Sequence, residues 1–368
     1  MDDEDEEADE REGSVMESMY ECTRMWSCRP KYEPSRAGQA AEKRALSIAC
    51  AAAHNRLTMS RCLALLALVL SVGAVGPLVA QEAAPPQRVF DSARGAFVEF
   101  DAMLADLATA DVIFIGEKHD DRNTHRLELA VLEGLASRRV DVVLSLEMFE
   151  RDVQEPLGHF LMGHMSEEVF LKESRPWPRY RTDYKPLVDV ASDREWPVIA
   201  ANVPRALASE VSKQGLDVLK SRSDEERKWF ARELKCPTDD DYYKRFAEAM
   251  GDHSTGTTGT TGTTGTATER YYYAQCLKDE TMAESIADGL AAGAIGGKRP
   301  VVVHFNGAFH SDFGSGTAER VKRRLPGKRV VVVSVLPVEK IDVPAPEGAE
   351  RRRGDYLVYT VSSPAAGK

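Results

Sequence analysis

The chain has 368 residues, 43% hydrophobic and 29% charged, with a formal net charge of −11 and a mean hydropathy of −0.36. That balance excludes a polytopic membrane protein and a wholly disordered chain. The acidic excess repels polyanions and so excludes nucleic acid as a general partner.

The first 80 residues do not read as globular. Residues 1–58 begin with the acidic run MDDEDEEADERE and carry Cys22, Cys28 and Cys50, and they read as a disordered tail or a mis-called extension upstream of Met59. Residues 59–80 read as a signal peptide, because the run from Cys62 to Ala80 follows Arg56 and Arg61, holds no charge and ends on a small residue. A retained membrane anchor is the alternative, since ~17 to 25 apolar residues can span a bilayer. Gly73, Gly76 and Pro77 interrupt the run, and the polar QEAAPPQ that follows suits a mature start near Gln81. The expected destination is export, with a periplasmic or membrane-associated protein as the product. Processing leaves Cys236 and Cys276, which an oxidising compartment permits to pair.

Residues 81–368 read as a single α/β domain with a net charge of −7. Short apolar runs alternate with longer helical stretches, the pattern of a mostly parallel β-sheet flanked by helices. Strands are predicted at 112–115 (VIFI), 142–146 (VVLSL), 197–201 (PVIAA), 301–305 (VVVHF) and 330–335 (VVVVSV), with an alternating edge strand at 356–361. A helix of about four turns is predicted from Thr124, and others over 153–161, 167–172 and 186–191. A helical insertion precedes the fourth strand. In it, Ser223 and Glu226 form a capping box that opens a helix through Leu234, and two further helices cover 239–250 and 269–290. Between those two lies a Thr/Gly repeat, 253–268, expected to be a flexible loop.

In an open parallel sheet, ligands sit beyond the carboxyl ends of the strands. The first strand runs into Gly116, Glu117, Lys118 and His119, the second into Glu147, the third into Asn202 and Arg205, and the fourth into Asn306, Gly307 and His310. Gly116-x-x-His119 and Gly307-x-x-His310 repeat one motif, with each glycine expected to turn the backbone off its strand. Two buried carboxylates require a cation or Arg205 between them, or one must keep its proton. His119, His310 and Glu147 are therefore candidate ligands for a divalent transition metal ion, and the same set could serve a haem. Trp177, Tyr180 and Tyr184 form an aromatic, basic stretch that could wall an apolar ligand, with a tyrosinate as a further haem ligand. Asp279, Glu280 and Met282 either place polar groups near the strand ends or form an acidic helix face. His125, His159 and His164 are expected at the surface, and Tyr271, Tyr272 and Tyr273 point in different directions around one helix.

Taken together, IGEKHDDRNTHRLEL, LSLEMFERDVQEPL, VIAANVPRAL, AQCLKDETMAESIA and HFNGAFHSDFG resemble the ChaN-like haem-binding proteins of bacterial iron uptake, over residues 112–314. That family is grouped with the TIKI-type metalloproteases and erythromycin esterase-like hydrolases. The resemblance implies an α/β sandwich and carries over Gly116, His119, Glu147, Asn202, Gly307 and His310 as site residues. It implies a haem or iron complex as ligand, an outer-membrane uptake receptor as partner, and a homodimer as an assembly open to the chain. The alternative is a metal-dependent hydrolase in which Glu117 or Glu147 acts as general base. N-terminal sequencing of protein from its native host should begin near Gln81, and intact Met1 on a soluble cytoplasmic protein would contradict the export reading.

Overall fold

The computed structural model describes residues 85–138, 140–251 and 266–363. The expected extension, the signal peptide and most of the Thr/Gly repeat lie outside these residues. Among the described residues, no helix is long and apolar enough to cross a membrane.

Eight strands form one mixed sheet: β1 (Gln87–Asp91), β2 (Ala96–Val98), β3 (Val112–Glu117), β4 (Val142–Glu150), β5 (Val198–Asn202), β6 (Val301–Gly307), β7 (Val330–Val338) and β8 (Tyr356–Val361). Their order is β2-β1-β8-β7-β3-β6-β4-β5. The six strands from β8 to β5 run parallel, and β1 and β2 add antiparallel at one side. β8 is therefore interior, not an edge strand. Its alternation comes from packing two different layers, Val358 on one and Leu357 and Tyr359 on the other, while β1 covers its outer side.

The helices that position the site are α1 (Phe100–Leu107), α2 (Arg122–Ser137), α3 (Gln154–Leu161), α4 (Glu167–Ser174), α5 (Lys185–Asp193), α6 (Arg205–Gln214), α7 (Asp241–Met250), α8 (Ala267–Gly293) and α9 (Thr317–Arg324). Because side chains alternate across a strand, Ile113 and Ile115 enter one core with Leu127 and Val131 of α2, and Val112 and Phe114 enter a second with Ile286 of α8 and Val321 of α9. Helices on both faces explain why β3 and β6 are buried at every position.

Two helix boundaries differ from expectation. The Ser223–Glu226 capping box forms, but the helix it opens ends at Arg227, well short of Leu234. Beyond it the backbone amides of Ala231, Arg232 and Lys235 donate to Thr281, Glu284 and Glu280 of α8, so tertiary bonds replace helical ones. The Thr/Gly stretch also ends earlier than residue 268, because Thr266 caps α8 by accepting from the Glu269 amide.

Cys236 and Cys276 form a disulfide, with Cα atoms 5.7 Å apart and a sequence separation of 40 residues. Closing a loop of that length restricts the unfolded chain and corresponds to about 3 to 4 kcal/mol of stability. Alkylation of the unfolded chain without reductant should leave both cysteines unlabelled, and reduction should lower the denaturation midpoint. Two added labels before reduction would contradict the bridge.

Candidate functional site

The carboxyl ends of β3, β6, β4 and β5 are neighbours, so Glu117, Gly307, Glu147 and Asn202 meet at one edge of the sheet. The two glutamates leave it on opposite faces. Glu117 follows Ile113 and Ile115 in alternation and enters the layer of α2, whereas Glu147 follows Val143 and enters the layer of α8. β4 bulges between Leu146 and Glu150, its Leu146 pairing with Ala200 and its Glu150 with Asn202. The bulge re-aims this stretch of backbone, and the Glu147 carbonyl accepts from Asn202 Nδ2 at 3.1 Å.

Each glutamate is matched with one of the two motif histidines. Glu117 has no exposed side-chain surface, and its Oε1 meets His119 Nδ1 and accepts from the Tyr184 hydroxyl at 2.9 Å. Glu147 Oε2 accepts from the Gly307 amide at 2.7 Å, and its Oε1 stands 3.4 Å from His310 Nε2. His310 Nδ1 is 2.7 Å from Asp279 Oδ1, and Asp279 also accepts from Tyr242 and Thr317. Arg205 does not sit between the glutamates. It is exposed and faces Glu150 at 3.8 Å, while Arg151 pairs with Glu284. Charge balance at the edge thus comes from the two histidines.

The motif glycines serve close approach. Neither has a positive φ, so the expected backbone turn is not what requires them. A Cβ on Gly116 would stand 3.0 Å from Ser311 Oγ and 3.1 Å from the Ala308 Cα, and one on Gly307 would stand 2.6 Å from His119 Nε2. Each glycine therefore makes room for the partner of the other motif.

Burial works against protonation of His310, but Glu147 and Asp279 outweigh it and push its pKa up to about 9. Burial likewise acts to raise Glu147, and His310 overcomes it and holds that carboxyl well below the usual range. His119 is shifted upward in the same way, burial being outweighed by the Glu117 hydrogen bond and the Glu147 charge. His304, wholly buried beside Phe114 and bonded to Ser145, is pushed down to about 3 by burial and is neutral.

Glu117, His119, Gly307 and His310 line a cleft of about 750 Å³. Gln275, Phe246, Met250, Phe309 and the stretch Val335, Leu336 and Pro337 also line it, with Lys118 and Arg353 as cations and Asp120 and Asp312 as anions; Arg353 pairs with Asp312 at 3.0 Å. Trp177 packs edge-on to the His119 ring at 4.9 Å. The structure does not bring Asn202, Arg205, Tyr180 or Tyr184 to this cleft. Asn202 is spent on backbone, its Oδ1 accepting from the Val203 amide. Tyr180 is packed among Phe149 and Phe170, and Tyr184 lies behind Glu117; burial pushes both phenols up, so neither is a ready tyrosinate.

His119, Glu147 and His310 are not gathered with their donor atoms within 4.8 Å of one another. Among the described residues, the group that meets that condition is Glu117, His125 and Glu128. His125 is thus buried in the layer behind the cleft, not at the surface as expected, while His164 is exposed. Its spacing of three from Glu128 on α2 was the available signal, since such a pair shares a helix face. Asp279 is the other partner that sequence reasoning left open, and Tyr272 packs with Tyr242 and Phe246 next to it.

A family profile described as haem-binding uptake, Tiki superfamily, ChaN matches residues 103–321. The chain belongs to this family. It is also similar to a solved structure titled as cofacial heme binding to ChaN of Campylobacter jejuni, at 17% identity and a TM-score of 0.53, over 76% of this chain and 97% of that one. That likeness shows the ChaN-like α/β fold, with a mainly parallel eight-stranded sheet flanked by helices. Among curated proteins it is 25% identical over 269 residues to Protein RETICULATA-RELATED 5, chloroplastic, of Arabidopsis thaliana. The match covers 71% of this chain and spans about a third of that relative's length (35%).

The raised His310 pKa has a defined sign. Stability from the protonated ring is complete below its ordinary value of 6.5 and is lost as pH rises through about 9. Denaturation midpoints should fall across that interval, and His310→Gln should flatten the fall. An unchanged slope in the variant would contradict the ion pairs described.

Proposed function

We propose that the protein is an exported haem-binding protein of iron uptake and that His119 is the iron ligand. The observation that carries this reading is the state of the His119 ring. Its Nδ1 is held by the buried Glu117 carboxylate, and its side chain is 42% exposed at the cleft with Nε2 lying over Gly307. A carboxylate on one ring nitrogen fixes the tautomer and raises the basicity of the other, which is the usual support of an iron-ligating histidine. The cleft is within the size range of small-ligand sites. Its lining also fits the group, since Phe246, Met250, Phe309 and Leu336 suit a porphyrin face and the exposed Lys118 suits its carboxylates, while Arg353 is engaged by Asp312 and Glu350.

Haem, when bound, would supply an iron for a nitrogen ligand; of this chain's residues, Glu117 would orient the His119 ring and Phe246, Met250, Phe309 and Leu336 would cover an apolar surface. Export is supported by the uncharged run from Cys62 to Ala80 and by the Cys236–Cys276 disulfide. A periplasmic or membrane-associated location, an uptake receptor and a homodimer rest on the family alone. The hydrolase reading is weaker because His119, Glu147 and His310 do not bring their donor atoms within 4.8 Å of one another, so the expected ion has no common site among them.

Haem titration of the purified protein should give a saturable Soret band. His119→Ala should weaken binding at least tenfold or shift the band, whereas Tyr180→Phe should leave it unchanged. A His119→Ala variant with the wild-type spectrum and affinity would overturn the ligand assignment.

A further inference from the structure

Behind His119, three buried side chains face one another. Glu117 lies at the end of β3, and His125 and Glu128 lie one turn apart on α2; as whole residues they are 2%, 4% and 0% exposed. Their donor atoms all fall within 4.8 Å of one another. His125 Nδ1 is 2.9 Å from Glu128 Oε2 and 3.6 Å from Glu117 Oε2. Donors on one transition-metal ion, at bonds near 2.0 to 2.2 Å, stand roughly 3 to 3.5 Å apart, so these spacings suit a shared ion.

The surroundings prepare each donor. Glu117 Oε1 is occupied by His119 and Tyr184, which leaves Oε2 directed at α2 with no hydrogen-bond partner. Glu128 Oε1 is also buried and unpartnered. His125 Nε2 is 3.1 Å from the His119 carbonyl, which can only accept, so the ring nitrogen that a metal would take is Nδ1, facing the two carboxylates. That is the arrangement in which a histidine binds metal, with its other nitrogen on a backbone carbonyl. Asp183, 3.5 Å from Nε2, is neutralised by Arg179 and does not compete for the ion. Two buried oxygens without donors are costly in a fully packed layer. A divalent cation satisfies both and cancels the two negative charges.

We propose that Glu117, His125 and Glu128 form a buried site for a divalent transition-metal ion, separate from the cleft nitrogen of His119. One nitrogen and two carboxylates suit a borderline ion such as Zn²⁺. Without an ion, the two carboxylates must share a proton, and the test separates these two states. The proposal goes beyond the haem reading and does not need it, since only Glu117 is common to the two, through different oxygens.

The full chain, stripped with chelator in the absence of haem, is given Zn²⁺, desalted and analysed for bound metal and thermal melting. One zinc per chain and a melting temperature raised by several degrees are expected. Glu128→Gln and His125→Gln should each reduce retained zinc at least tenfold, and His119→Ala should keep it while losing haem. Far-UV circular dichroism checks that each variant folds. If either buried-site variant does not fold, the wild type and His119→Ala still decide the matter. A wild type that retains no zinc and shows no melting shift carries a shared proton, and that overturns the proposal. Loss of zinc in His119→Ala as complete as in Glu128→Gln would overturn it as well, by placing the ion in the cleft. Failure of haem binding with zinc retained would reject the haem reading alone.

Discussion

A carboxylate with no exposed surface at the end of a central parallel strand sets the terms for everything around it. Glu117 cannot be solvated, so the fold must supply donors or a cation to each of its oxygens. It does so unequally. Oε1 receives His119 and Tyr184 from the cleft side and the helix layer, and Oε2 looks into α2. The position of His119, the room left by Gly307 and the grouping of His125 with Glu128 all follow from how this one side chain is satisfied. Burial pushes Glu128 well above the usual carboxylate range, with the Glu117 charge adding to it, and the net hydrogen bonding and charge around Glu117 hold that group below its own.

The sheet itself divides the chemistry. With side chains alternating through the strands, one end of the sheet presents Glu117 to one helical layer and Glu147 to the other, and each layer contributes its own histidine. On the α8 side His310 is locked between Glu147 and Asp279, an ionic chain with no free ring nitrogen. On the α2 side His119 is held at only one nitrogen. Two copies of one short motif thus end in different states, because Asp279 of α8 takes the second ring nitrogen of His310, whereas His119 Nε2 lies over Gly307, whose missing side chain leaves it room.

The central parallel strands were legible in the sequence because burial on both faces demands uninterrupted apolar runs, and those runs are hard to mistake. β1 and β2 were missed: they are short, carry Gln87, Arg88 and Asp91, and are defined by pairing with β8 and with each other. The helix expected through Leu234 failed because its amides have better partners on α8, a long-range fact that local propensity does not contain. Within the site, the residues immediately after the strands could be named, since topology alone brings them together. The partners of those residues could not. His125 looked like an ordinary helix residue, and Asp279 like part of an acidic face, until the packing angle of each helix fixed which side met the sheet.

The disulfide described above has a mechanical meaning for the cleft. α7 contributes Phe246 and Met250 to the cleft lining, and the segment leading into it is fastened at Cys236 to Cys276 of α8. Cys276 adjoins Gln275, whose side chain is 3.2 Å from His310 Nδ1. That wall is therefore leashed one residue away from the ionic chain at the sheet edge. While both sulfurs stay bonded, the start of that segment cannot part from α8, and so cannot drift from the rest of the site.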